Sequence, residues 1–404
     1  MEKQNPKIFD PYPCFGDDEI QAVERVLRSG RVNQWTGSEI TSFEKEYADY
    51  VGAKYAVAVA NGSVALDIAL TILGLGSGDE VIVTPRSFVA SASCVALRGA
   101  TPVFVDVDPD SQNITSDSVK NAISSKTKAV IAVHLAGWPC ALNELKVLCD
   151  EHGIYLIEDC AQAHGAKLRG TQVGGFGHIA AFSFCQDKIM TTGGEGGMLV
   201  TDDEDLWMKA WSYKDHGKDY DSVFKKKHSP GFRWLVKSFG TNCRMIEMQA
   251  AIGRVMLKKL DEWVKRRRRL AGILTEGFKE IPELRVTVPL DHIYHSYYKY
   301  YVFVRPERLR DGWNRDRILG ELEKRGVPCG TGACPEIYLE EAFRDYGYKL
   351  GIRNYELKDG RLPVAKELGE TSLMFMVHPT LTEENMHYVL EQVKEVIAHA
   401  KAKY

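Results

Sequence analysis

No stretch of the 404 residues is apolar for long enough to cross a bilayer, and Met1–Pro6 carries none of the apolar core of a secretory leader. A soluble, cytoplasmic protein is expected. An excess of positive charge is also missing: 52 Lys and Arg face 55 Asp and Glu, for a formal net charge of −3. That is not the footprint of a nucleic-acid binder. The one basic cluster, Lys265–Arg269, follows apolar positions at Met256, Leu257, Leu260, Trp263 and Val264. It reads as the solvated face of a helix. Cysteine occurs nine times but never as a CxxC pair, and no Cys/His set completes a zinc pattern. Reduced, buried thiols and no metal are expected. No strand-like run leads into GxGxxG. Gly74-Leu75-Gly76-Ser77-Gly78 has the wrong spacing and runs into a strand, which argues against a nicotinamide fingerprint. Internal repeats and low-complexity tracts are absent.

What is present is a large apolar share, 44% of residues, enough for a sizeable core in two or three domains. From about residue 50 to 205, short apolar runs alternate with helical patterns. The runs are Tyr55–Ala60, Glu80–Thr84, Pro102–Asp106, Ala129–His134, Tyr155–Glu158, Ala180–Phe184 and Met198–Thr201. Short apolar runs bounded by Gly, Pro, Asp or Asn read as buried strands of a mainly parallel sheet. Val64–Leu73, Val89–Arg98, Ser116–Ser124 and Leu142–His152 supply the helices between them. The expected fold is therefore a three-layer α/β domain. A long helix, roughly Arg244–Phe278, follows, and after it the pattern turns to α+β. A boundary is placed near residue 265, giving a large α/β domain at 1–265 and a small α+β domain at 266–404.

Three segments carry chemistry. Asn61-Gly62-Ser63 stands between a strand and an apolar helix. A helix N-terminus offers free N–H groups and a positive dipole end to a phosphate, although a plain N-cap would need the same residues. Asp159 closes the run Tyr155–Glu158, where ligand sites of open α/β sheets lie. It reads as a partner for a ring nitrogen or as a helix cap. The adjacent Glu158 should point the other way along a strand, so a metal set is discounted. Lys188 leaves the strand Ala180–Phe184 ahead of Gly193-Gly194-Glu195-Gly196-Gly197. A lysine there is either a surface residue or a nucleophilic amine. Taken in order on one α/β domain, the three match the needs of pyridoxal 5′-phosphate (PLP): a phosphate site, a pyridinium partner and a covalent lysine.

The chain resembles the DegT/StrS sugar aminotransferases, a branch of the fold-type I PLP enzymes. The likeness is carried by Ser29-Gly30, Phe43-Glu44, Asn61–Leu66, Gly78–Val83, Gly99–Asp108, His134–Gly137, Glu158–Ala166, the Lys188 segment, Asn242–Met245 and Gln249–Gly253. It implies that Lys188 binds PLP covalently and that Asp159 keeps the pyridine nitrogen protonated. It further implies that Gln162 contacts the ring hydroxyl, that Phe88 stacks on the ring, and that Gly62, Ser63 and Ser183 hold the phosphate. Asn242 would reach the phosphate of a neighbouring subunit, so a homodimer with shared sites is implied. Glutamate would be the amino donor, giving 2-oxoglutarate, and a keto sugar the acceptor.

Many members of the family carry one glycine fewer before Glu195, and many have a neutral residue where Arg86 stands. Arg86 is either a bidentate grip on a carboxylate or a surface residue beside the pocket. Arg31–Gly37, Cys185–Lys188, Lys214–Gly217 and Glu336–Tyr338 resemble a subgroup, the 8-amino-3,8-dideoxy-manno-octulosonate transaminases, which aminate an oxidised Kdo sugar acid for lipopolysaccharide. The alternative acceptor is a nucleotide-linked 3-keto or 4-keto hexose. His134, Lys214, His216 and His295 are further candidate substrate contacts. Sugar dehydratases on the same fold replace the lysine with histidine, and Lys188 stands intact here. A non-enzymatic PLP-binding regulator is the rival from another class.

Overall fold

The computed structural model describes residues 9–227, 234–351 and 360–402. Met1–Pro6, read above for a leader, lie outside them. The main sheet contains β1 (Tyr55–Val59), β2 (Glu80–Val83), β3 (Thr101–Phe104), β4 (Thr127–Val133), β5 (Tyr155–Asp159), β6 (Ile179–Ser183) and β7 (Gly197–Thr201), with Lys349–Leu350 at one edge. Their spatial order is β1-β7-β6-β5-β4-β2-β3 and then the edge strand. Among these strands only β7 runs against the rest, pairing antiparallel with both β1 and β6.

Both faces of this sheet are covered, which is why its strands are apolar throughout instead of alternating. In β4, Val130 and Ala132 pack on one side while Ala129, Ile131 and Val133 pack on the other. The first side carries α2 (Glu39–Val51), α5 (Ser116–Ala122), α6 (Leu142–His152) and the long helix Glu247–Lys279, on which α1 (Asp17–Ser29) packs; the second carries α3 (Gly62–Ile72), α4 (Ala90–Leu97) and α7 (Glu204–Lys214). The α/β reading of the sequence thus holds at the level of individual strands. The long helix passes residue 265 without a break over its 33 residues. Its far end packs in a third apolar cluster, with Leu270, Leu274 and Phe278 against the four-stranded sheet Leu284–Arg285, Tyr300–Val304, Ser372–Phe375 and Cys329–Gly330 and the helix Glu383–Ala400.

The basic run on this helix departs from expectation. Arg267 is buried, donates to the carbonyls of Tyr297 and Tyr298, and lies 5.2 Å from the ring centre of Tyr12. Arg266 and Arg268 bond the carbonyls of Leu381 and His295. The cluster therefore serves in part as an internal clamp, because backbone carbonyls in the segments flanking the small sheet need donors that the helix supplies.

Candidate active site

The carboxyl ends of β1, β2, β5 and β6 converge on one cavity of about 530 Å³. At one end, Asn61 accepts the Val64 N–H at 2.9 Å and caps α3. The N-cap reading is correct for Asn61, while Gly62 and Ser63, in the first turn, line the cavity with Ser183. Glycine is required by close approach: a Cβ on Gly62 would lie 2.6 Å from Ser183 Cβ. Behind Ser183, His164 Nε2 donates to its carbonyl at 2.8 Å and Nδ1 accepts from Tyr47 Oη at 2.8 Å. Burial pushes His164 down to about 4, so the ring is neutral and this tautomer is set by its partners.

Asp159, on the wall of the same cavity, accepts Ser91 Oγ through Oδ2 at 2.7 Å and the Ala161 N–H through Oδ1 at 3.1 Å. Gln162 Oε1 takes the Ala136 N–H at 2.9 Å, which leaves its amide nitrogen as the donor end. Phe88 is 64% exposed on the wall, an unusual state for a phenylalanine and one a flat ring partner would relieve. Lys188 lines the same cavity. Its Nζ is 3.8 Å from Asp187 Oδ1 and 4.9 Å from the centre of the Tyr298 ring. Tyr12 Oη donates to the carbonyl of Ile189 at 2.7 Å, which fastens the lysine loop to the N-terminal segment.

The five candidate substrate contacts are placed elsewhere. Arg86 is fully buried and absent from the cavity wall; it donates to Gln112 Oε1 at 2.7 Å and Ser372 Oγ at 3.1 Å. It is neither a surface residue nor a pocket one, since its side chain turns inward while Ser87 and Phe88 face the cavity. His134 is buried against Glu158 at 3.2 Å, and its Nδ1 accepts the Cys140 N–H. Lys214 is fully buried in an ion pair with Glu44 at 2.7 Å. His216 is exposed, away from the wall. His295 is buried and stacked on Tyr297 at 3.8 Å. Asn242 is exposed and accepts the Arg244 N–H.

His134, Glu158 and Cys160 bring metal-type atoms within 4.8 Å of one another. The carboxylate is already saturated, by Gly174, Phe176 and Gly177 N–H groups and by His134. The cluster reads as a hydrogen-bonded support under β5. Sequence reading missed Ser91, Asp187, Tyr298 and Lys299 as site residues. The last two come from a segment more than a hundred residues from Lys188, and no spacing rule connects them.

The residues fit PLP. The Gly62–Ser183 gap is a cradle that a Cβ would fill, the Asp159 carboxylate is held by two donors within the same cavity, and a lysine amine lines that cavity too. A mainly parallel sheet with these three groups at its strand ends defines a fold-type I PLP enzyme. The chain belongs to the DegT/DnrJ/EryC1/StrS aminotransferase family, whose model matches residues 13–394. It is therefore a PLP-dependent aminotransferase. Among solved structures it is similar to the aminotransferase from Psychrobacter cryohalolentis, with a TM-score of 0.92, 50% identity, and 97% of this chain and 99% of that chain covered. Among curated relatives it is 35% identical over 377 residues to the dTDP-3-amino-3,4,6-trideoxy-alpha-D-glucose transaminase of Streptomyces venezuelae, covering 93% of this chain and 90% of the relative. It is 34% identical over 398 residues to the GDP-perosamine synthase of Caulobacter vibrioides, covering 97% and 99%.

Proposed function

We propose that the enzyme moves the amino group of glutamate to a carbonyl carbon of a sugar, with Lys188 and Asp159 as its catalytic residues. The convergence of Lys188, Asp159 and the Gly62-Ser63/Ser183 cradle in one cavity carries this reading. PLP, when bound, supplies an electron sink for the carbon that loses its proton. Gly62, Ser63 and Ser183 bind its phosphate, Gln162 its ring hydroxyl and Phe88 its face. Asp159, oriented by Ser91 and Ala161, keeps the ring nitrogen protonated. With the cofactor bound, Lys188 Nζ would take the proton from the donor's α-carbon as general base and give it up again as general acid. Donor and acceptor use one site in turn, so kinetics should be ping-pong. Trp234, Val236, Phe239 and Ile246 are exposed beside Asn242 and support a homodimer in which Asn242 reaches the neighbour's phosphate.

For the acceptor, the subgroup segments favour an oxidised Kdo. One of them, Glu336–Tyr338, bonds the pocket loop directly, through Ile337 N–H to the Pro85 carbonyl at 2.8 Å. The sugars in the names of the two curated relatives favour the second reading, a nucleotide-linked keto hexose. The test begins with absorbance of the PLP-loaded protein before and after glutamate, beside Lys188→Ala. Glutamate should bleach the visible band of the wild type, and the variant should lack that band. The aminated form is then offered each sugar. A PLP-loaded protein that glutamate leaves unchanged points instead to a non-enzymatic regulator.

A further inference from the structure

An acidic substrate needs a cation in the cavity, and Arg86 is turned away from it. Lys299 lines the wall, with its side chain 20% exposed. Its Nζ stands 3.6 Å from Asp187 Oδ2 and 4.8 Å from the centre of the Tyr298 ring. Lys188 Nζ lies 3.8 Å from the other oxygen of the same carboxylate and 4.9 Å from the same ring. Tyr298 Oη donates to Asp187. One carboxylate and one phenol thus stand between two ammonium groups.

The Lys299 contact is longer than a charge-assisted hydrogen bond of roughly 2.8 Å, so an ammonium with three donors is held there by charge more than by direction. Burial pushes Lys299 below its usual value, and Lys188 adds to this, while Asp187 opposes both. An incoming anion would oppose them further. Within this group two lysines face one aspartate, while the wall also carries Asp159 and Glu195, the latter 3.8 Å from Cys185 Sγ; Lys299 is the lysine of the pair that the cofactor does not claim. Asp187 keeps Tyr298 as a partner if Lys299 leaves it, and Lys188 as well whenever that amine is free of the cofactor.

We propose that Lys299 determines specificity by exchanging Asp187 for an anionic oxygen group of the substrate, a carboxylate or a phosphate. This rests on the aminotransferase reading above. The group belongs either to the amino donor or to the sugar, and the two are separable.

The test uses the PLP-loaded enzyme as wild type, Lys299→Met and Lys299→Arg. One arm titrates 2-methylglutamate, which has no α-hydrogen and cannot turn over, by its spectral shift. The other measures acceptor KM and kcat. If the group is the donor's, Lys299→Met weakens 2-methylglutamate by about tenfold or more and Lys299→Arg restores most of it. If it is the sugar's, donor binding is unchanged and acceptor KM rises by a similar factor with kcat held. Unchanged binding and KM with a lowered kcat in Lys299→Met would overturn the proposal, because Lys299 would then act only through Asp187 on Lys188. A wild type that fails to react with glutamate would instead remove the aminotransferase reading, and this inference with it.

Discussion

Ser91 Oγ stands 2.7 Å from Asp159 Oδ2, so a helix of the outer layer reaches the carboxylate at the end of a central strand. Ser87 Oγ is 3.0 Å from Ser91 Oγ and extends the chain back to the Phe88 loop. The bond fixes which way the carboxylate faces. Ser91→Ala should therefore lower kcat by about tenfold and weaken PLP, the loss expected for a hydrogen bond to a charged group. Cofactor titration and steady-state kinetics check this. A variant with wild-type values for both would mean that Ala161 alone orients Asp159.

Gly62→Ala should cost the enzyme its cofactor before it costs it its fold. The new methyl would sit against Ser183, inside the cradle, while α3 should tolerate alanine well. Equilibrium binding of PLP should weaken by at least about tenfold, with circular dichroism unchanged. Full cofactor affinity would place the phosphate elsewhere.

Lys214 should behave as a stability residue. Its ammonium is fully buried on Glu44, which also accepts the Ala58 N–H at 2.8 Å. Removing one partner of a buried pair leaves the other charge unmatched and costs about 3 kcal/mol. Lys214→Met should unfold at lower denaturant with KM for both substrates unchanged. A raised KM at unchanged stability would restore it as a substrate contact.

Much of the site was legible because strand ends are sequence features. Asp159 and Ser183 close apolar runs, and Asn61-Gly62-Ser63 stands between a run and a helix. Arg86, His134 and His295 were misplaced for a common reason. Each sits next to a cavity-facing residue or a strand end, and sequence adjacency does not say which way a side chain turns. Lys214, also misplaced, closes the helix Glu204–Lys214, away from the cavity wall. Arg86 beside Phe88 is the clearest case: two residues apart, one is fully buried and the other 64% exposed. Tyr298 and Lys299 were invisible because only tertiary packing of the small sheet brings them to Lys188.

Acid should weaken the fold well above the carboxylate range. Burial pushes His164 down to about 4 and His295 down to about 3. The unfolded chain binds protons at these rings below about pH 6.5, and the folded chain does not. Stability is therefore lost as pH falls from about 6.5 toward 4, by on the order of 2 kcal/mol per ring at pH 5. Glu158 does not share in this. Burial alone would raise it, but His134 and the Gly177 and Gly174 N–H groups hold it below the usual range, so its contribution persists until lower pH. Urea unfolding at pH 7 and 5 reads the difference. Burial also pushes His378 down to about 4, so in His295→Gln the drop between the two should shrink by about a third; an unchanged drop would assign it to other groups.

The lysine loop is a hairpin whose feet stand in the middle of the sheet, Ser183 paired with Gly197 in antiparallel register. Lys188 lies on the outgoing limb, fastened by Tyr12 through Ile189, whereas Gly193 and Gly194, with φ of 90° and 122°, lie on the returning one. Gly194 is bridged to Cys185 on the outgoing limb and donates its N–H to Thr191 Oγ1 at 3.2 Å, so the two limbs are stitched together and a change in the length of the turn would pull on the segment that carries the amine.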